Sequence, residues 1–360
     1  MKKIVLTGGG TAGHVTPNIA LIPELQKDGF EVYYIGSYEG MERHLIEEMG
    51  IPYTGISTGK LRRYFSWKNF TDPVRVIRGY NEASRAMKQI RPDVVFSKGG
   101  FVSVPVVFAA AKLHIPSLIH ESDMSPGLAN KLSIPKAAKI CANFPEALEN
   151  LPKDKAVLTG TPIRRELFMG SREAGLSFAG LTGTKPVLLV TGGSLGAVGV
   201  NNAVRAALPL LLKKYDVVHL CGKGKLDESL KETPGYVQFE YVDKEMRDIF
   251  AMADVVISRA GANAICELLA LKKPTCLIPL PANASRGDQL LNAASFEKQG
   301  YSLVLHEEDI TTEKLVGAVN ELYDNREKYI SSMKKSSQAD SIKIIIDLID
   351  KVIEENKNRK

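Results

Sequence analysis

The chain has 360 residues, enough for two domains that each bury a core, and is 44% hydrophobic and 24% charged. That balance excludes a disordered or fibrous chain, and a formal net charge of +6 does not by itself mark a nucleic-acid binder. The four cysteines (Cys141, Cys221, Cys266, Cys276) show neither metal-ligand nor paired spacing. With no leader-like opening, they lead to the expectation of a reducing, cytoplasmic compartment.

The first predicted strand, 3–6, carries Ile4-Val5-Leu6 and runs into Gly8-Gly9-Gly10-Thr11-Ala12-Gly13-His14. A helical pattern follows over 17–26, with Ile19, Leu21, Ile22 and Leu25 on one face. Such a strand, glycine turn and helix let backbone N–H groups and a positive helix end approach an anion. The spacing also fits a dinucleotide fingerprint, but spacing alone does not separate nucleotide binding from a plain tight turn. His14, directly after the last glycine, is unusual for a dinucleotide loop.

Further strands are predicted at 31–35, 53–57, 93–97, 117–120, 139–142 and 156–159, with helices at 42–49, 73–89, 104–113 and around 128–131. Several strands are continuous Val/Ile-rich runs, the pattern of parallel strands covered on both faces. The apolar stretch from Phe101 to His120 is interrupted by Pro105, Lys112, His114 and Pro116, so no membrane span is predicted. Composition shifts to Gly, Ser and Thr over 170–185. The opening motif then nearly recurs: a strand at 187–190, Thr191-Gly192-Gly193-Ser194-Leu195-Gly196-Ala197, and a helix over 201–212. Strands follow at 217–221, 237–241, 255–258, 275–278 and 302–305. The expected fold class is α/β, with two tandem Rossmann-like domains. The last segment, 341–355, places Ile342, Ile345, Ile346, Ile349 and Ile353 at helical spacing, an amphipathic helix that must pack on something.

Ligands of open parallel sheets bind beyond the carboxyl ends of strands. Polar and glycine clusters fall there repeatedly, at 8–14, 97–103, 120–123, 160–165, 192–197, 258–264 and 279–289, and their division between two domains suggests an interdomain cleft. In the cluster ending in Ala262-Asn263-Ala264, small side chains would let a diphosphate reach helix amides. Glu267, about one turn further on, would accept from sugar hydroxyls or simply complement the helix dipole. A dinucleotide site also expects an acid at the end of its second strand. Here those strands end in Gly36-Ser37 and Cys221-Gly222, so NAD(P) is not expected. No Asp-x-Asp triplet occurs and the six histidines do not pair at ligand spacing, so neither a metal nor another cofactor is expected. A leaving diphosphate would then be neutralised by helix ends, by Ser194 and by Arg164, although Glu166 also offers Arg164 a surface ion pair.

Candidate general bases are His14 and the His120-Glu121 pair, against the commoner fate of a buried, satisfied histidine. The stretch 60–70 interleaves Arg62, Arg63, Phe65, Trp67, Lys68 and Phe70 and continues to Arg75 and Arg78. It suits an anionic membrane interface, or aromatics that cover the core. It would also suit single-stranded nucleic acid, which nothing else in the chain supports, so no nucleic-acid partner is expected.

In order, the chain carries Gly9-Gly10-Thr11-Ala12-Gly13-His14-Val15-Thr16-Pro17, Gly99-Gly100-Phe101-Val102-Ser103, His120-Glu121, Gly160-Thr161-Pro162-Ile163-Arg164, Gly192 to Ala197, Arg259-Ala260-Gly261-Ala262 with Glu267, and Asp288-Gln289 with Asn292-Ala293. This series resembles the MurG family of peptidoglycan N-acetylglucosaminyltransferases over nearly the full length. The resemblance implies a GT-B fold. Residues 1–163, joined by a returning helix at 338–360, would hold the acceptor and the membrane; residues 164–337 would hold UDP-N-acetylglucosamine. It implies transfer of N-acetylglucosamine to undecaprenyl-pyrophosphoryl-N-acetylmuramyl-pentapeptide, lipid I, by a peripheral enzyme on the cytoplasmic face of the membrane. The transfer would be inverting and metal-independent.

By position, Arg164, Ser194, Ala262, Asn263 and Ala264 would face the donor diphosphate, Glu267 the ribose, Val242 the uracil, and Gln289 with Asp288 the sugar. Gly10, Thr11, Gly13, Gly99, Gly100 and Asp123 would form the acceptor site. His14 would be the base, with His120 or Glu121 second. The chain departs from the family at Asp123, often Asn, at Asp288, often a second Gln, and in a uracil loop one residue longer. The alternatives are a UDP-sugar:diacylglycerol glycosyltransferase, a UDP-sugar epimerase, and a non-catalytic nucleotide- or membrane-binding regulator.

Overall fold

The computed structural model describes residues 1–59, 68–193, 196–282, 287–336 and 340–358, with backbone alone at 12 and 68–73. It divides into two compact units, Met1–Arg164 with Asp340–Lys360, and Arg165–Ala339.

The first unit is built on strands β1 (Lys2–Thr7), β2 (Phe30–Ser37), β3 (Tyr53–Ile56), β4 (Val94–Ser97), β5 (Ser117–Glu121), β6 (Lys139–Ala142) and β7 (Ala156–Leu158). They form one parallel sheet in the order β3-β2-β1-β4-β5-β6-β7. Helices α1 (Thr16–Lys27), α2 (Met41–Glu48), α3 (Lys68–Ile90), α4 (Ser103–Lys112) and α5 (Leu128–Ser133) supply the crossovers. Strand alternation divides β1 between two cores. Ile4 and Leu6 join Leu21, Ile22 and Leu25 of α1, whereas Val5 joins Ala83 and Met87 of α3 and Val106 and Ala110 of α4.

The second unit repeats the plan. Strands β8 (Val187–Thr191), β9 (Asp216–Leu220), β10 (Tyr236–Phe239), β11 (Val255–Ser258), β12 (Thr275–Leu277) and β13 (Ser302–Val304) stand parallel in the order β10-β9-β8-β11-β12-β13. Its helices are α6 (Arg172–Ala179), α7 (Val198–Leu211), α8 (Met246–Met252), α9 (Ala262–Ala270), α10 (Asp288–Lys298), α11 (Thr312–Asp324) and α12 (Arg326–Lys334). The Gly/Ser/Thr-rich segment thus contains α6, which the composition concealed. Ser171 Oγ accepts from Ala174 N at its start, and Gly180 closes it at φ +66°.

The last helix, α13 (Ser341–Lys357), belongs to the first unit. Ile345, Ile349, Val352 and Ile353 enter the core beneath β1 and β4, each contributing roughly 1.5–3 kcal/mol through burial. Ser341 Oγ donates to Thr161 O at 2.7 Å, and Lys2 Nζ meets Asp350 Oδ1 at 2.7 Å.

Candidate active site

In both sheets the strand order reverses beside the first strand of the unit, between β1 and β4 and between β8 and β11. These are the switch points where open α/β sheets bind ligands.

At the first switch point two glycine loops meet. Lys98 N donates to Thr7 O at 2.9 Å, which aligns the ends of β1 and β4. Gly10, Gly99 and Gly100 adopt φ of +85°, +92° and +83°, conformations that a side chain strains. A Cβ on Gly99 would stand 3.5 Å from both His14 Cδ2 and Asn130 Oδ1. Gly10, Thr11, Gly13, His14, Gly99 and Gly100 are therefore one neighbourhood.

His14 Nδ1 lies 2.9 Å from Thr11 Oγ1. If Nδ1–H donates to that hydroxyl, Nε2 is left with the lone pair that a base needs. Burial first, then the Lys98 ammonium, push the imidazole down to about 4, while Glu42 opposes them. At neutral pH the ring is uncharged.

His120 and Glu121 stand differently. His120 is fully buried. Its Nε2 donates to Gly160 O at 2.9 Å and its Nδ1 accepts from Lys98 Nζ at 2.7 Å, so both ring nitrogens are engaged. Burial and Lys98 hold it well below the ordinary imidazole value. The Glu121 carboxylate accepts from Asp123 N, Gly127 N and Asn130 Nδ2 at 3.0, 3.1 and 2.8 Å. It organises the loop between β5 and α5, on which Asp123 sits.

The sequence reading missed three groups here. Lys98 opens the second glycine loop and is only 1% exposed; only its position after a buried strand could have signalled it. Asn130 gives its amide N–H groups to His120 O and Glu121 Oε2. Glu42 corrects the expectation that no acid reaches the end of β2. From the first turn of α2, its buried carboxylate accepts from Ser37 N at 3.1 Å, from Ser37 Oγ, and from Gly10 N at 3.3 Å. Gly9 and Gly40 make room, since a Cβ on either would come within 2.4 and 2.1 Å of that carboxylate. That carboxylate ties the end of β2 to the first glycine loop.

At the second switch point β8 leads into Gly192–Ala197, of which Ser194 lies outside the described residues. Gly193 and Gly196 adopt φ of +81° and +67°. A Cβ on Gly196 would meet Cys221 O at 2.0 Å, which fits this loop tightly beneath β9. After β11, Arg259 Nη1 donates to Ile278 O at 3.1 Å and pairs with Glu307 Oε2 at 2.7 Å. Asn292 Nδ2 donates to Ala260 O at 3.1 Å. These bonds fix the approach to α9, whose first turn is Ala262, Asn263 and Ala264, with Glu267 one turn further along; all four are partly exposed. Gln289 Oε1 accepts from Leu280 N at 3.0 Å, placing α10 beside the end of β12, with Asp288 as its first residue. Val242 is buried after β10, next to exposed Tyr241. Arg164 is the last residue of the first unit's main segment.

The basic and aromatic stretch is described only from its second half. Arg62, Arg63, Phe65 and Trp67 lie outside the described residues, as do the side chains of Lys68 and Phe70. Further along α3, Val74 and Ile77 are 67% and 62% exposed, among exposed Arg75 and Arg78. No described helix is long and apolar enough to cross a membrane.

Two parallel sheets, each with glycine loops at its switch point, define the GT-B class of glycosyltransferase. Solved structures share this architecture: Acinetobacter baumannii MurG has a TM-score of 0.78 and 26% identity, covering 98% of this chain and 100% of that one. The glycosyltransferase of kitacinnamycin has a TM-score of 0.76 and 16% identity, covering 98% and 99%, a likeness of fold alone. The chain belongs to glycosyltransferase family 28, matching the family's N-terminal domain over residues 4–142 and its C-terminal domain over 187–349. A relative from Lachnospira eligens is 66% identical over 97% of this chain and 99% of its own length. One from Lachnoclostridium phytofermentans is 64% identical over 98% and 99%. Both are named UDP-N-acetylglucosamine–N-acetylmuramyl-(pentapeptide) pyrophosphoryl-undecaprenol N-acetylglucosamine transferase.

Proposed function

We propose that this chain transfers N-acetylglucosamine from UDP-N-acetylglucosamine to undecaprenyl-pyrophosphoryl-N-acetylmuramyl-pentapeptide. The observation that carries the reading is the 66% identity, over nearly both full lengths, with a relative named for that reaction. The donor lies at the second unit's switch point. Its diphosphate meets the amides of the Ala262 helix end together with Arg164 and Ser194, the ribose meets Glu267, the uracil meets Val242, and the sugar meets Gln289 and Asp288. The acceptor's diphosphate lies at Gly10, Thr11, Gly13, Gly99 and Gly100, with Asp123 beside it.

The acceptor hydroxyl attacks the anomeric carbon from the face opposite UDP, inverting the configuration through an oxocarbenium-like transition state. His14, neutral at working pH, takes the hydroxyl proton on Nε2 while Thr11 fixes the ring. The C1–O bond to UDP breaks and its electron pair leaves with the diphosphate, stabilised by the α9 helix end and Arg164 in place of a metal ion. His120, with both ring nitrogens engaged, and Glu121, with three bonds to the β5–α5 loop, support the site as loop organisers.

Exposed Val74 and Ile77 among arginines support peripheral attachment to an anionic membrane surface; the cytoplasmic face is what the family resemblance implies. The test is transfer of labelled sugar from UDP-N-acetylglucosamine or UDP-glucose to lipid I or diacylglycerol. Sugar on lipid I supports the reading, and glucose on diacylglycerol or release of an epimerised free sugar contradicts it.

A further inference from the structure

The first glycine loop is held by side chains from three elements. At its near end Tyr34 Oη, from β2, donates to Gly8 O at 2.7 Å, and Asn18 Nδ2, from α1, donates to Thr7 O at 3.2 Å. Further along stands Glu42 of α2, a carboxylate with no exposed surface. Burying such a group is costly unless its oxygens are bonded. Here Oε1 accepts from Ser37 N at 3.1 Å and from Ser37 Oγ, and Oε2 accepts from Gly10 N at 3.3 Å. A backbone N–H can only donate, so both oxygens must be acceptors, which a carboxylate provides and an amide does not. The acid also lies against Gly9, where a Cβ would come 2.4 Å from Oε1. From Gly10 the contact passes directly to the candidate base. Thr11 follows; its O accepts from His14 N at 3.1 Å, and its Oγ1 lies 2.9 Å from His14 Nδ1. A glycine constrains its own backbone little, so the bond from the Gly10 amide to Glu42 sets the turn into Thr11.

We infer that Glu42 is a positioning residue of the transfer reaction: through Gly10 N it fixes the turn on which Thr11 and His14 stand, and so holds His14 where it meets the acceptor hydroxyl. This rests on the proposed role of His14 as the base. Glu42 acts through the loop backbone and not on the reacting atoms. The effect is large for so indirect a contact, because a base displaced by about 1 Å loses on the order of 10²-fold in rate.

The experiment is a kinetic cycle of Glu42→Gln and His14→Ala in the full-length chain, with lipid I and UDP-N-acetylglucosamine. In Glu42→Gln, which turns an N–H toward a donor that the carboxylate accepted, kcat falls roughly 10- to 100-fold. UDP affinity, measured by titration, is unchanged. In the His14→Ala background the Glu42→Gln change has no further effect on kcat, because the base that it aligns is gone. A carboxylate that serves only the fold would lower kcat by the same factor in both backgrounds. That result overturns the inference, as does wild-type kcat in a folded Glu42→Gln. Should Glu42→Gln lack a cooperative unfolding transition, amide hydrogen exchange in the wild-type chain decides. Gly10 is exposed, so slowed exchange at its N–H reports the bond to Glu42 and supports the inference. Exchange at the rate of an unstructured loop overturns it. Full turnover in His14→Ala would instead defeat the underlying reading of the base. Loss of turnover there with a silent Glu42→Gln defeats only the role of Glu42.

Discussion

A Cβ placed on Gly100 would stand 2.4 Å from the carbonyl oxygen of Gly9. The two glycine loops of the first unit are thus in backbone contact, and Gly100 has no room for a side chain there. Gly100 also holds φ +83°. Gly100→Ala should lower the thermal midpoint of the chain, with strain of about 1–3 kcal/mol before any loop movement. It should raise the acceptor KM and leave UDP binding intact. An unchanged melting curve would show that the loops separate freely.

His14→Ala should reduce turnover by roughly 10²–10⁴-fold, the range of a positioned general base. UDP titration should be unaltered, because His14 stands at the first unit's switch point. Near-normal turnover would remove His14 from the role of base. His120→Gln, by contrast, should act mainly through folding stability. It disturbs the bonds to Gly160 O and Lys98 Nζ, and its effect should appear in the melting curve as well as in rate.

The difference between these histidines shows what the sequence could and could not disclose. Chain position makes both candidate bases, His14 in the loop after β1 and His120 near the end of β5. What separates them is the set of partners around each ring, drawn from residues 22 and 40 positions away for His120. The parallel strands were legible because β-branched runs buried on both faces need no distant partner to be recognised. Glu42 was missed because it reaches the glycine loop from α2, where a search confined to the end of β2 does not look. Helix α6 was missed because its glycines and serines suggested a loop, although Ser171 and Gly180 are its capping residues. The amphipathic isoleucines of 341–355 announced a buried face, and α13 buries it against the first sheet.

Glu267→Ala should weaken UDP titration about tenfold or more, the loss expected for a charge-assisted hydrogen bond to the ribose. Acceptor KM should not move. Unchanged UDP affinity would mean that Glu267 serves only the dipole of α9.

Replacing Val74 and Ile77 together with Ser should reduce binding to vesicles containing anionic lipid, while activity on a short-chain, soluble acceptor persists. The same loss is expected for Phe65 and Trp67 changed to Ser. Undiminished vesicle binding in both variants would contradict a membrane role for this stretch.

The most direct measurement offers labelled UDP-N-acetylglucosamine and UDP-glucose to the purified chain with lipid I and, separately, diacylglycerol. The expected product is N-acetylglucosamine on lipid I with inverted configuration at the anomeric carbon, and none on diacylglycerol. Glucose on diacylglycerol, a retained configuration, or UDP binding with no transfer to any lipid would contradict it.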